Sequence, residues 1–485
     1  MLFKEPRYKE WLENANFDNC KLNRKEFGEF LANYLVGEKD GFVLNLNGAW
    51  GTGKTEFCKR LYSHLITNDH PTIYINSWES DFSKEPLTVV SSELLRQMEA
   101  LHSDVVGLKK TEEIKKILGK TLKSLAVGVA GAVSYKLIGE SSAGTAVMQQ
   151  IVQQDIPPQD FIDKLATNYS EQVDSIQFIR ETLTELALAL EIEINAKLPV
   201  VVIIDELDRC RPNYAIEMLE VIKHFFSTKN FVFVVATDTE QLCQSIKNIY
   251  GNKFNSNQYL KRFFDRTATL PLPNIKEYID SLNFELNDDD IYGLMLYPAI
   301  GEDNYSKKSI INILSAFSEG FNFKVRDVDQ LLNKVYSCLR TASAYQKNKS
   351  IKLAINFPIL VCGLIEYEIG AQSFYERTNR KKSMPTLINN NVNITQEVTL
   401  STLIDMSLFG TTELLVGNDY GGEYYSLPVG SNWNYENWDG HNPSAEIRNL
   451  CNRIKNINSA TVQRSIDFWR WSEYRKVIEL AGYLE

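Results

Sequence analysis

Gly48-Ala49-Trp50-Gly51-Thr52-Gly53-Lys54-Thr55 follows directly on the apolar run Phe42-Val43-Leu44-Asn45-Leu46 and leads into a helical pattern from about Glu56 to Ile66. Glycines at 48, 51 and 53 let several backbone N–H groups converge on one phosphate chain, because no Cβ blocks the close approach or the unusual φ values. In that setting Lys54 reaches the β- and γ-phosphates, Thr55 offers its hydroxyl to Mg²⁺, and the helix turns its positive end toward the same anion. The expected nucleotide contacts are therefore Gly48, Ala49, Trp50, Gly51, Thr52, Gly53, Lys54, Thr55 and Glu56. A chance match to this glycine and lysine spacing should occur about once in a hundred chains of this length. The strand before it and the helix after it make coincidence rarer still.

A second acidic element lies far downstream. Pro199-Val200-Val201-Val202-Ile203-Ile204-Asp205-Glu206 reads as a buried strand ending in two carboxylates. Side chains alternate along a strand, so the adjacent acids point to different places and can divide the work. Asp205 is expected to hold Mg²⁺ through its water shell, and Glu206 to orient and deprotonate an attacking water. The next apolar strand, Phe231 to Ala236, ends in Thr237-Asp238, where Asp238 either senses a γ-phosphate or caps the helix that follows. In Tyr259-Leu-Lys-Arg-Phe-Phe-Asp-Arg266, Arg262 and Arg266 are expected close together on one helical face. Arg262 could reach a neighbouring subunit's site and stabilise transition-state charge, or be an ordinary surface arginine.

Around these motifs, strand-like and helical patterns alternate: strands at 42–46, 72–76, 199–204, 231–236 and 267–272, with helices at 55–66, 212–227 and 239–250. Such alternation implies an α/β fold with a parallel sheet covered by helices on both faces, a three-layer core. Before it, residues 1–38 form an N-terminal segment whose helix places Phe27, Phe30, Leu31, Tyr34 and Leu35 on one face, with Gly37 as its stop. The core is expected over 39–95 and 196–274, interrupted by a helical insertion over 96–195 that is too long for a connection. A helical lid follows over 275–380. A separate mixed C-terminal region covers 381–485, irregular from Gly417 to Pro443, with a helical end from about Ala460 carrying Phe468, Trp469 and Trp471. Those aromatics make either a partner surface or ordinary core.

Within the insertion, residues 108–133 combine helically spaced apolar residues with Lys109, Lys110, Lys115, Lys116, Lys120 and Lys123. This reads as a helix packed on the core with a solvated lysine face, or as a peripheral contact with an anionic membrane. A net charge of −10 argues against a nucleic-acid footprint for the whole protein. The seven cysteines show no Cys-x-x-Cys and no pairing rhythm, which fits a reducing cytoplasm. The N-terminus lacks the apolar core of a secretion signal, and no apolar run reaches the roughly 18 residues of a membrane span.

Several blocks together resemble the KAP branch of P-loop NTPases, in the additional-strand, catalytic-glutamate division that also holds the AAA+ and STAND proteins. The Gly-x-Trp-Gly-x-Gly-Lys form with Trp50, the segment Asn76-Ser-Trp78-Glu79, and Ile204-Asp-Glu-Leu-Asp-Arg-Cys210 are similar to the family's motifs. The family more usually has Asp at position 206, and Glu206 keeps the acid. Phe233 to Asp238, Tyr259 to Phe264 and Lys324-Val-Arg-Asp-Val-Asp-Gln-Leu-Leu-Asn333 match its later blocks. The resemblance covers roughly residues 20–375. It implies an ATPase with ATP and Mg²⁺ as cofactors, Arg326 as a second sensor at the start of the lid helix, and Asp208 and Arg209 ordering the site or an interface. Assembly into a homo-oligomer or with a partner protein, and a role in bacterial defence against phages and plasmids, are further implications. The alternative is a nucleotide-controlled protein-binding module whose hydrolysis is slow or incidental.

Overall fold

The computed structural model describes residues 2–3, 6–38, 41–82, 86–102, 176–177, 179–225, 228–282, 293–300, 307–417, 423–429, 444–463 and 466–483. The lysine-rich stretch 108–133 lies outside them, as does most of 417–443. No helix among the described residues is long and apolar enough to cross a membrane. The chain divides into two compact units, Met1–Leu272 and Pro273–Glu485.

The first unit is built on β1 (Val43–Asn47), β2 (Thr72–Asn76), β3 (Val200–Asp205), β4 (Phe231–Thr237) and β5 (Arg266–Thr269). All five run parallel in the order β2-β3-β4-β1-β5. Every residue of β3 and β4 is buried, as a parallel sheet covered on both faces requires. The insertion of β4 between β1 and β3 sets the phosphate-loop strand and the acidic strand one strand apart. This is the additional strand that the resemblance implied.

Helices cover this sheet as α1 (Lys9–Asn14), α2 (Lys25–Gly37), α3 (Lys54–Thr67), α4 (Pro86–His102), α5 (Pro212–Phe225), α6 (Thr239–Tyr250) and α7 (Ser256–Leu260). α3 packs on β2, β3 and β4 with α1 and α2 over it, while α5 packs against both α4 and α6. β2 is an edge strand, and α4 closes it: the buried Gln97 side chain accepts from Tyr74 N–H at 3.1 Å and donates to Tyr74 O at 2.7 Å.

Three expectations change here. α4 crosses residue 95, and its Leu94, Leu95, Met98 and Leu101 belong to the sheet's core, as do Ile179, Leu183, Leu186, Ala187 and Leu190 from the helical stretch 179–194. Both described ends of the expected insertion are thus core, because each carries an apolar stripe at helical spacing. In α2 the buried stripe runs through Gly28, Leu31, Ala32 and Leu35, which turns Phe30 outward at 67% exposure. Gly28 is required there, since a Cβ would lie 2.1 Å from the Phe17 ring. Finally, Arg262 and Arg266 do not share a helical face: α7 ends at Leu260, and Arg266 opens β5. The strand wins because Asp265 is already tied to β1, its carboxylate accepting from Val43 N–H and its N–H donating to Val43 O, both at 2.9 Å.

In the second unit, α8 (Ile275–Ser281), α9 (Lys307–Gly320), α10 (Val325–Lys349), α11 (Phe357–Glu368), α12 (Gln372–Glu376), α13 (Leu400–Thr411), α14 (Ala445–Val462) and α15 (Trp471–Ala481) surround a parallel sheet. That sheet joins β6 (Met295–Tyr297), β7 (Leu353–Asn356) and β10 (Asp467–Phe468) in the order β10-β7-β6. A hairpin of β8 (Leu414–Gly417) and β9 (Glu423–Ser426) stands apart. Because β10 pairs with β7, the regions 275–380 and 381–485 share one sheet and one compact unit. The C-terminal stretch is helix, strand and helix rather than one helical end. Phe468, Trp469 and Trp471 are buried, so these aromatics are core.

α11 is the centre of this unit, apolar on all sides and buried from Phe357 to Glu366. Glu366 has no exposed surface and pairs in fork geometry with Arg377, Nη1 to Oε2 at 2.6 Å and Nη2 to Oε1 at 2.8 Å. Arg377 also donates to Ser383 O and lies 4.4 Å from the Trp471 ring centre, so one guanidinium links α11, the 377–383 loop and α15.

Candidate functional site

The first half of the phosphate loop is anchored to the end of β4 and the residue after it. Gly48 N–H donates to Thr237 O at 3.0 Å, which joins the loop's start to the end of β4. Trp50 N–H donates to Asp238 Oδ2 at 2.9 Å, while Asp238 Oδ1 accepts from Gln241 N–H and caps α6. Asp238 therefore uses one oxygen on the cap and the other on the loop. Two polar residues in the apolar β1 support this end: Asn45 bonds the Thr237 and Thr239 hydroxyls, and Asn47 accepts from Thr239 N–H.

Gly51 and Gly53 hold φ of +80° and +82°, the left-handed region that other residues enter only with strain. Gly53 then begins α3, whose first turn presents its unpaired N–H groups to the loop. Thr52 closes the loop on itself through Ala49 O. Glu56 turns its side chain to Lys59 and Arg60, which leaves its backbone N–H as its means of contact.

Lys54, 9% exposed, folds across the loop: its Nζ donates to Gly48 O at 2.6 Å and lies 3.5 Å from Asp208 Oδ2. Thr55 Oγ1 donates to Glu206 Oε1 at 3.3 Å. β1, α3 and the end of β3 thus bring Lys54, Thr55, Asp205, Glu206 and Asp208 together.

Asp205 is fully buried, with Oδ1 accepting from Glu206 N–H at 2.8 Å and Oδ2 from the Tyr74 hydroxyl at 3.0 Å. Burial pushes its carboxyl above the usual carboxylate range, against the opposing pull of hydrogen bonds from Glu206 N–H, Thr55 and Tyr74. A raised folded-state value means that the native state binds the proton more tightly than the unfolded chain does. Its contribution is present at low pH and is lost as pH rises through the folded value. Asp205→Asn should therefore leave the melting temperature of the nucleotide-free protein little changed near pH 4 and raise it at pH 8. Scanning fluorimetry across that range checks this, and a lower melting temperature at pH 8 would contradict it.

Glu206 sits at φ +60°, a left-handed position that costs a non-glycine residue about 1 kcal/mol or more. Its Oε1 is paired with Arg209 Nη1 at 2.9 Å, and the Arg209 guanidinium lies 5.8 Å from the ring centre of Trp78, itself half exposed. The acid is thus oriented by its own following turn.

Thr55 and Asp205 supply two hard oxygen ligands beside the cradle, a donor set that fits Mg²⁺ only if phosphate and water complete the octahedron. The close packing around Gly48, where a Cβ would meet Lys54 Cγ and Thr52 Oγ1 at 3.0 Å, fits a loop that hugs a nucleotide's phosphates, and the buried Oδ1 of Asp208, without a partner among the described residues, is an acceptor that fits the metal's water shell.

Arg262 is exposed in the turn after α7 and bonds to none of these groups, and Arg326 is exposed in the first turn of α10 in the second unit. Sequence reasoning missed Tyr74 and left Asp208 and Arg209 open between site and interface. The signal for Tyr74 was a phenol in a buried edge strand, two residues before Asn76, the register partner of Asp205.

Comparison with known proteins adds the family. A family model described as "KAP family P-loop domain" matches residues 24–342. No curated protein matches. Among solved structures, that of the ORC2 protein of Aeropyrum pernix, in ADPNP and ADP complexes, is 14% identical and covers 95% of this chain and 99% of its own, at a TM-score of 0.28. At that score the match carries no argument.

Proposed function

Since this chain belongs to the KAP family of P-loop NTPases, we propose that it hydrolyses ATP with Mg²⁺ and that turnover drives a change of conformation or assembly. The observation that carries this reading is the convergence of Lys54, Thr55, Asp205 and Glu206 at the mouth of a glycine loop with its backbone already in the left-handed form. Bound Mg²⁺ would supply charge neutralisation at the transferred phosphoryl group. The backbone N–H groups of Gly51 and of Gly53 to Glu56 would cradle the phosphates, while those of Gly48, Trp50 and Thr52 hold the loop through Thr237, Asp238 and Ala49. Lys54 would leave Gly48 O and Asp208 for the phosphate oxygens, Thr55 and Asp205 would hold the metal, and Glu206 would take a proton from the attacking water. Such sites act by positioning and electrostatics, so occupancy and turnover can be transmitted to neighbouring elements.

In this reading Asp238 acts on the nucleotide through the loop it braces. Arg262, exposed, is assigned to the site of a second copy or to a partner protein, and Arg326 to a sensor role in the lid. The cellular setting carried over from the family is cytoplasmic defence against phages or plasmids.

A second reading is favoured by the Arg209–Glu206 ion pair. With the base held by an arginine, the nucleotide-bound form could persist as the signalling state of a protein-binding module, and hydrolysis would be its slow reset.

Lys54→Ala tests the shared premise. Calorimetric titration should show ATP binding to the wild type and a loss of about a hundredfold or more in the variant. Equal binding by both would remove residues 48–55 from the nucleotide site. The same variant should abolish protection in a phage plating assay, and unchanged protection would separate the site from defence.

A further inference from the structure

We infer that Arg24 is a second cation of the phosphate site, holding an anionic oxygen of the bound nucleotide through its Nη1 and Nε; this rests on the nucleotide reading of residues 48–55. Arg24 is 3% exposed, yet it pairs with no carboxylate among the described residues. Its Nη2 donates to Pro271 O at 2.7 Å, while Nη1 and Nε have no hydrogen-bond partner among the described residues. Its charge is placed against the loop: Nη1 would lie 3.4 Å from a Cβ built on Gly53.

Holding an arginine there without an anion is costly, since a buried unpaired charge loses its hydration and gains nothing in return. Burial accordingly lowers its pKa to about 10. A tether between the N-terminal segment and residue 271 needs only one donor and no charge. The remaining fork of N–H groups matches phosphate geometry, and a neutral base edge would leave the charge uncompensated.

The fold takes trouble to place it. Arg24 is the N-cap residue of α2, with Gly28 N–H donating to its carbonyl at 2.9 Å. α2 and the segment before it are pinned to α3 by Phe17 and Phe27, whose rings lie 5.6 and 5.5 Å from Phe57. The N-terminal segment therefore delivers a charge to the start of the phosphate-loop helix.

The test is thermal shift and titration of the full chain with ADP and with inorganic pyrophosphate, using wild type, Arg24→Met, Arg24→Lys and Lys54→Ala. Arg24→Met should weaken ADP and pyrophosphate by a similar factor, about ten- to hundredfold, and leave the ligand-free melting temperature unchanged or higher. Arg24→Lys, which keeps the charge and loses the fork, should fall between. Pyrophosphate stabilisation equal in wild type and Arg24→Met, zero included, overturns the inference, as does a loss confined to ADP, which would assign Arg24 to the base. A lowered ligand-free melting temperature with ADP binding intact would make Arg24 a structural residue only. ADP binding lost in Lys54→Ala but kept in Arg24→Met sinks this inference and spares the nucleotide reading, whereas a wild type that ignores ADP sinks both.

Discussion

Glu206→Gln is expected to lower steady-state phosphate release by about 10²- to 10⁴-fold while ATP still binds. Glutamine keeps the length of the side chain and can still accept from Thr55 and Arg209, so the turn at 206–209 and its left-handed backbone have no reason to change. What is lost is the capacity to take a proton. Lys54, Thr55 and Asp205 are untouched, and they carry the binding of phosphate and metal in the proposed mechanism. The effect should therefore fall on turnover and spare affinity, the pattern of a group that acts in the transition state. Single-turnover phosphate release beside equilibrium ATP titration separates the two. A variant that releases phosphate at the wild-type rate would show that another group activates the water.

Arg377→Ala should cost about 3–5 kcal/mol in the second unit, the largest stability effect expected of any single replacement there. The pair it breaks is buried on both sides, Glu366 at 0% and Arg377 at 2% side-chain exposure. Removing the arginine strands a carboxylate in the middle of α11, where the Cys362 thiol and the Ser373 hydroxyl are the remaining donors. It also withdraws the guanidinium from the Trp471 ring and its bonds from Ser383 O. Hydrogen exchange should speed up across α11 and α15 as their local opening becomes cheaper. Replacing both partners by apolar residues of similar size, Glu366→Met with Arg377→Met, should recover much of the loss, because no charge is then left unpaired. If the single variant exchanges like wild type in both helices, the pair is not holding them.

How much of this was legible beforehand follows the range of the interactions. Glycine spacing, the apolar run of β3 and the turn from strand to helix are local patterns, and they singled out Lys54, Thr55, Asp205 and Glu206, which the structure places close together. β2 was legible to the residue, because its apolar run is closed by turn residues on both sides. Contacts far apart in sequence were not legible. Nothing near Arg24 points to Gly53, and nothing near Gln97 says that its amide will close the edge of β2 at Tyr74. The helix expected through Arg266 failed for the same reason, since pairing with Val43 across 222 residues outweighed local helical spacing. The core's margins were misjudged where α4 and residues 179–194 carry stripes that a helical insertion would also show, and only packing tells the two apart.

The central claim, that this site couples ATP hydrolysis by Glu206 to a change of assembly or conformation, is tested most directly by one comparison. Wild type and Glu206→Gln would be followed by phosphate release and by mass photometry, each with and without ATP and Mg²⁺. The expected result is phosphate release by the wild type alone, with an ATP-dependent mass distribution that is transient in the wild type and persists in Glu206→Gln. Equal phosphate release by the two proteins, or a mass distribution that ATP leaves unchanged in both, would contradict it.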